Sequence, residues 1–424
     1  MRLTITWIFL IFLAAVFSGC SKPKNDPEVV VLKMTLWDKQ KDLEFYDKAL
    51  PEFYKDHPNI RVKIESVPWT RMFDKLLIST AGGRCPDVSR ISSTWFTPCA
   101  AKGLLECLEP YMAKDPEFDI KDFYQPAVKG WGTYKGKVYA LPGDVDIYCM
   151  YYNKTMFDRY GVPYPDETWD WARHLRAAKR LTRDRDGDGR LDQWGANPDQ
   201  WQTYVWQNGG DILSKDLTRC TLDQPAAYKA IQSMADLRTK YKVAPSAADM
   251  ADIGAQKLFT NGQIGMFVSG SWAAALIFKD EIKDFDWDVA PLPKGKTRAS
   301  FIGGAAFGIL RGSKHKKEAW ELVKFMTSPS MQRHFAQEKH IIPSRRSVAE
   351  SGAYLYLSGK PRNKKAFIDS ISYGHPLPNV ECSREMNEII SSEIVLATLG
   401  RKRAEDACKK VTPLVNDLLK YQVE

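Results

Sequence analysis

EVVVLKMTLW, residues 28–37, is a short, β-branched, apolar run bounded by polar sequence. Such a run suits a strand buried on both faces. Leu43, Tyr46, Leu50 and Phe53 then recur at helical spacing, with Pro51 expected to bend or interrupt that helix. NIRVKIESVP (residues 59–68) returns to alternation, TRMFDKLLISTA (70–81) to a helical pattern, and PDVSRI (86–91) to a strand. Period 2 and period 3.6 taking turns predict an α/β fold with largely parallel strands.

The same alternation continues outward. PDETWDWARHLRAAKRLT (165–182) and QPAAYKAIQSMADLRTKYK (224–242) read as helices, and KHKKEAWELVKFMTSPSMQRHFAQ (314–337) as two helices broken at Ser328-Pro329. The chain ends in helices, with Gly400 placed as a C-cap. Roughly 400 residues exceed what one core serves, so two lobes are expected. No internal repeat or low-complexity tract occurs.

The N-terminus, MRLTITWIFLIFLAAVFSGC, has one cation, Arg2, then an apolar stretch too short to span a membrane comfortably, then small residues. Residues 1–19 read as a secretory signal. The ending VFSGC resembles a bacterial lipobox, with Cys20 as the lipidated residue and Phe17 standing where that pattern prefers Leu or Val. An ordinary signal with an incidental cysteine is the alternative. Residues 20–28, polar and Pro-bearing, suit a tether.

The chain carries 61 Lys+Arg against 52 Asp+Glu, a formal net charge of +9. Without a block of like charges this argues against nucleic acid as partner. Seven cysteines beyond Cys20 form no CxxC pair, so neither zinc nor thioredoxin-like chemistry is supported. One disulfide among Cys85, Cys99 and Cys107 and buried free thiols are both open readings.

Four segments in order, GRCPDVSRISSTWFTPCAAKGLLECLEPY (83–111), GKVYALPGDVDIYCMYYNKTMFDRYGV (136–162), LFTNGQIGMFVSGSW (258–272) and FIGGAAFGILRGSKHKKEAWELVKFMTSPSMQ (301–332), resemble the family 1 extracellular solute-binding proteins of ABC importers, the maltose-binding-protein-like group. The likeness runs through nearly all of residues 29–420. It implies a two-lobed, periplasmic-binding-protein-like (type II) fold with hinge crossovers near 142–148, 269–273 and 326–329. Lobe 1 would then comprise 29–143 plus 273–326, and lobe 2 144–272 plus 327–424. It also implies a monomeric, lipid-anchored, extracytoplasmic receptor that closes on a carbohydrate, an oligosaccharide by preference, and delivers it to an ABC permease. Presentation to a sensor kinase is one alternative. A secreted carbohydrate-active enzyme is the other, although no HExxH, GxSxG or GxxxxGK[ST] is present.

The candidate site follows from residue chemistry. Ligands of open α/β sheets bind at the carboxyl ends of strands, and sugars pack C–H faces on indoles while their hydroxyls bond to carboxylates. Trp37 closes the first strand, Trp95 follows PDVSRISST, Trp201 and Trp206 flank a loop, and Trp272 follows a Gly-Ser turn. Core or hinge packing is the competing reading for each. The resemblance places a hydroxyl-accepting carboxylate at Asp146, with Asp144 its nearest competitor. Gly303, with Gly304, would let backbone amides approach a ligand. Asp87 reads as a structural cap.

DRDGDGRLDQWG (184–195) begins like a calcium loop. Asp184, Asp186 and Asp188 stand at positions 1, 3 and 5, Arg190 offers its carbonyl at 7, and Asp192 lies at 9. Position 12 is Gly195 rather than Glu, and no exiting helix follows. The reading is a structural Ca2+ brace rather than an EF-hand switch, with a metal-free Asp-Gly turn as the alternative.

Overall fold

The computed structural model describes residues 29–421. The signal, Cys20 and the tether lie outside the described residues. Strands β1 (Val30–Leu36), β2 (Ile60–Ser66) and β3 (Val88–Ser92) alternate with helices α1 (Glu44–Asp56) and α2 (Trp69–Ala81). β1 pairs in parallel with both β2 and β3. Pro51 does not interrupt α1; the helix runs through it, with Phe45, Tyr46 and Phe53 packed inward. This first sheet is completed by β4 (Ala140–Pro142) and by a later strand antiparallel to β3.

The second sheet is built around β5 (Asp144–Asn153), which begins two residues after β4 ends. β6 (Trp194–Asn197) pairs in parallel with β7 (Ile264–Gly270), which runs antiparallel to β5. β8 (Trp287–Ala290) and β9 (Ser300–Gly303) are also antiparallel to β5. The parallel expectation therefore holds for β1–β3 and for β6 with β7, but fails for the strands beside β5. A ten-residue central strand, entered through a direct crossing, receives short return strands instead of βαβ units.

Strand pairing also redraws the lobe limits. After β7 the chain turns back through Ala274–Phe278, whose Phe278 packs on Tyr151 and Trp287, and it stays in the second lobe through β9. It enters the first sheet only at β10 (Ala305–Ile309), which pairs with β3 and β4. The crossing expected near 269–273 thus falls at Gly303–Ala305, because Gly270-Ser271-Trp272 forms a loop rather than a passage. The crossing expected at 326–329 is likewise later. Helix Pro329–Lys339 still packs on the first lobe, Phe335 stacking on Phe45, and the chain rejoins β5 at β11 (Ile342–Pro343).

The three passages are therefore neighbours, since Val145 pairs with Ile342 and Asp146 with Gly303. Ser328 caps the second helix of the expected pair, accepting from the Met331 amide at 3.1 Å. Gly400 takes φ +71° beyond helix Ser383–Thr398. Cys85, Cys99, Cys107, Cys149, Cys220 and Cys408 are free thiols. Among the described residues no helix is long and apolar enough to cross a membrane.

Candidate ligand-binding site

Each functional side chain hangs from the carboxyl end of a strand or from a crossing. Trp37 directly follows β1, and its ring lies 5.7 Å, edge-on, from that of Trp95, which follows β3. Trp95 in turn meets Trp69, the first residue of α2 beyond β2, at 4.8 Å. Trp95 is buried and its indole Nε1 has no hydrogen-bond partner within the protein. A buried N–H without an acceptor is unfavourable by about 1–3 kcal/mol, so this edge of the cluster suits an oxygen-bearing ligand.

Beneath the indoles sits a buried ionic hub. Arg90, the middle residue of β3, lies 4.5 Å over the Trp37 ring. Its Nη1 donates to Asp38 at 2.8 Å, and its Nη2 pairs with Asp144 at the first crossing. Lys339 also pairs with Asp38, and the Tyr46 hydroxyl donates to that carboxylate at 3.1 Å. Burial alone would raise the Asp38 pKa, but Arg90 and Lys339 override it and hold the carboxyl below its ordinary range. Burial would likewise lower the Arg90 pKa, yet Asp144 and Asp38 reverse this and fix the guanidinium in its charged form. Asp144 also accepts the Ala305 amide at 2.6 Å, across the second crossing.

Asp146 has a different environment. It accepts from the Ser271 hydroxyl at 3.0 Å. Burial first, and the neighbouring Asp144 second, push its pKa up to about 7. Of the competing carboxylates, Asp144 is consumed by the hub, whereas Asp146 forms no ion pair among the described residues. Trp272 is half-buried and its indole folds over Gly270, where a Cβ would lie 2.4 Å from Nε1. Tyr148 packs edge-on against Phe301 at 5.2 Å.

Gly303 pairs with Asp146, and a Cβ there would lie 2.9 Å from Ser93 Oγ. Gly304 takes φ +148° with no room for a Cβ, which would lie 2.5 Å from the Asp144 carbonyl. The crossing therefore needs glycine for its backbone conformation and for close approach to β5.

Trp37, Trp95, Asp146, Trp272 and Gly303 are thus linked through shared neighbours around the crossings. Trp201 starts helix Trp201–Gln207 and packs, 9% exposed, in a cluster that also takes Phe301, the neighbour of Tyr148. Trp206 stacks on His375 at 5.1 Å and bonds Asp211. Between β6 and Trp201, Asp199 acts electrostatically on Tyr148. Asp87 binds the Lys33 amide and the Ser313 hydroxyl, a structural role.

Sequence reasoning missed Arg90, Asp38, Lys339, Trp69, Tyr148 and Phe301. Arg90 left a signal, since an arginine inside an otherwise apolar strand requires buried partners. Lys339 left none, because 301 residues separate it from Asp38.

Indole faces at strand ends, a carboxylate acceptor beside them and hydroxyl donors around it form a lining for a polyhydroxylated solute. It lies where two sheets exchange chain three times. Such crossings let lobes rotate as bodies about a few residues. The profile of the bacterial extracellular solute-binding proteins matches residues 37–333, and the chain belongs to that family. A putative binding protein of Brucella abortus (strain 2308) is 26% identical over 383 residues, covering 89% of this chain and 90% of its own length. Among solved structures, an ABC substrate-binding protein of Listeria monocytogenes in complex with cycloalternan superposes with a TM-score of 0.84 at 27% identity, covering 93% of this chain and 100% of that one. Maltose-bound MalE3 of T. maritima gives a TM-score of 0.76 at 26% identity, covering 92% and 100%. The fold is accordingly the two-lobed type II binding-protein fold, and the family and these neighbours are binding proteins of transporters.

Proposed function

We propose that this chain captures a carbohydrate, an oligosaccharide by preference, between its lobes and delivers it to an ABC permease, anchored to the membrane through lipid on Cys20. The observation that carries the reading is the joining of Trp37 and Trp95 from one lobe to Asp146 and Trp272 of the other through Arg90, Asp144 and the Gly303–Ala305 crossing. A solute touching both sides stabilises the closed arrangement by its contacts to each, and the permease reads that arrangement. Solved neighbours with cycloalternan and maltose support the ligand class.

The reading is binding without chemistry. Glycoside hydrolysis needs two free carboxyl groups across one bond, and here Asp144 is held by Arg90 and the Ala305 amide. Calorimetry against a panel of mono- and oligosaccharides tests the proposal, with the sugars recovered and sized afterwards. Binding of intact sugar is expected, with about 10-fold weaker affinity for Trp272→Ala from the lost aromatic contact. No binding across the panel, or cleaved sugar, would overturn it.

A structural Ca2+ at residues 184–192 is part of the same reading. The carboxylates of Asp184, Asp186 and Asp188 lie within 4.8 Å of one another. Asp184 accepts from the Gly187 and Gly189 amides at 2.7 and 2.9 Å, a fold-back that gathers the acidic groups. Asp192 is tied to the loop by the Arg185 amide at 3.1 Å. Gly195 stands against Ala178, where a Cβ would lie 2.0 Å from the carbonyl, so no side chain closes position 12. Water or a distant carboxylate would complete the shell around Asp184, Asp186, Asp188, the Arg190 carbonyl and Asp192. A chelator should lower the melting temperature and added calcium restore it; an unchanged melt refutes the ion.

A further inference from the structure

Lys33 of β1 and Lys63 of β2 stand on the same rung of their parallel pair, and both are exposed. Like charges side by side on one sheet face repel, and neither lysine has an ion pair among the described residues. On the next rung of that face Val31, 50% exposed, pairs with Arg61. The Arg61 guanidinium donates to the Pro58 and Ile60 carbonyls at 2.9 and 2.7 Å and meets no acid. The strip faces water because the alternate residues Leu32 and Met34 make the core contacts of β1. Its one acid, Glu65, is paired with Lys75 of α2. Past Lys75, α2 returns toward the amino ends of the strands and presents Ile78, 74% exposed. Arg84 follows the helix, exposed and again without an ion pair among the described residues.

These groups gather at the base of the first lobe, around the point where the chain enters β1; the cleft lies at the opposite ends of the same strands. Val29, at the entry, is 53% exposed. Residues 20–28, nine in all, separate Cys20 from it. Nine residues reach at most about 30 Å, so a lipid on Cys20 keeps this base within that distance of a bilayer. Any polyanion would suit unpaired cations, but the short reach from the anchor singles out the headgroups of the membrane itself. The apolar side chains among the cations fit such a surface too, since they can enter the boundary between headgroups and acyl chains.

We propose that the base of the first lobe, with Lys33, Arg61, Lys63 and Arg84 around Val31 and Ile78, is a docking face for anionic lipid headgroups. The inference rests on the lipid-anchor reading above and adds an orientation to it. The anchor holds the chain near the bilayer; the cations turn the base toward it and leave the cleft facing solvent, where it can load. The repulsion between Lys33 and Lys63 is then relieved by headgroup phosphates rather than by an acid of the protein.

The test is co-sedimentation of the chain from residue 20 onward, made without its lipid, with phosphatidylcholine vesicles that either contain or lack phosphatidylglycerol. Binding is expected only with phosphatidylglycerol, and it should vanish in about 1 M salt, where exposed charges are screened. Lys33→Gln, Lys63→Gln and Arg84→Gln together should weaken it on the order of 100-fold, roughly 5-fold per cation. A control triple, Lys215→Gln, Lys294→Gln and Lys296→Gln, removes the same charge from exposed lysines of the second lobe and should leave most of the binding. Unchanged melting curves for both triples separate lost contact from lost fold. No binding to phosphatidylglycerol vesicles, equal binding to both kinds, or equal losses in the two triples would overturn the docking face. The anchor is read separately, by mass spectrometry of the full chain recovered from membranes: an unmodified Cys20 would overturn the lipid reading and the orientation built on it, whatever the vesicles show.

Discussion

Replacing Arg90 by Met keeps most of the side-chain volume and removes the charge that joins the first lobe to the first crossing. Arg90, Asp38 and Asp144 have side chains 10%, 8% and 8% exposed, so little water is present to compensate. After the change Asp38 retains Lys339 and Tyr46, but Asp144 retains only the Ala305 amide among the partners described above. Removing one member of a buried pair is destabilising by about 3–5 kcal/mol, mostly through the charge left behind. At about 2–4 °C per kcal/mol for a unit of this size, the melting temperature should fall by on the order of 10 °C. Urea unfolding followed by tryptophan fluorescence gives the free-energy difference directly.

Adding Asp144→Asn to the Arg90→Met background removes the orphaned charge and should recover roughly 1–3 kcal/mol. A pH series supplies an independent check. A carboxylate whose folded pKa is depressed contributes stability above its unfolded pKa, about 4, and loses that contribution as pH falls through the folded value. Asp38 is such a group. Wild-type protein should therefore lose stability more steeply below about pH 4 than Arg90→Met, in which much of the stabilisation is already absent. A loss under about 1 kcal/mol for Arg90→Met, or parallel acid limbs for the two proteins, would refute the argument that this hub holds the crossing.

Asp146 titrates with the opposite sign. Its pKa is raised to about 7, so the ionised group opposes folding, and that opposition grows as pH rises from about 4 and is complete above 7. Asp146→Asn should raise the melting temperature of the free protein at pH 8 but not at pH 4. It should also weaken sugar binding roughly 10- to 100-fold through loss of a charged acceptor, read by calorimetry. Gly304→Ala faces a blocked Cβ at φ +148° and should be destabilising by at least about 2 kcal/mol, whereas Gly136→Ala, at φ +78° in open space, should be milder. Comparing their urea midpoints decides whether close packing at the crossing or φ alone sets the requirement.

The alternation of periods was enough to place β1, α1, β2, α2 and β3, because each element carries its own signature in a contiguous stretch. The indoles at strand ends were legible for the same reason, since a tryptophan just past a strand lands at the sheet's edge. Pro51 does not end α1 because tertiary packing of Phe45, Tyr46 and Phe53 carries the helix through it.

What the sequence by itself determined is local: which segments are strands and helices, where the glycines sit, and which side chains could face a sugar. What only the tertiary structure decided is pairing at a distance. The chain crosses between lobes at Gly303–Ala305 rather than near Trp272 because β8 and β9 find hydrogen-bond partners along β5, over 130 residues earlier. Asp144 and Asp146, two residues apart and alike in sequence, take separate roles because Arg90 reaches one and Ser271 the other. A charge in a low-dielectric interior is governed by its nearest partner. That partner is set by the folded chain, not by the neighbouring letters.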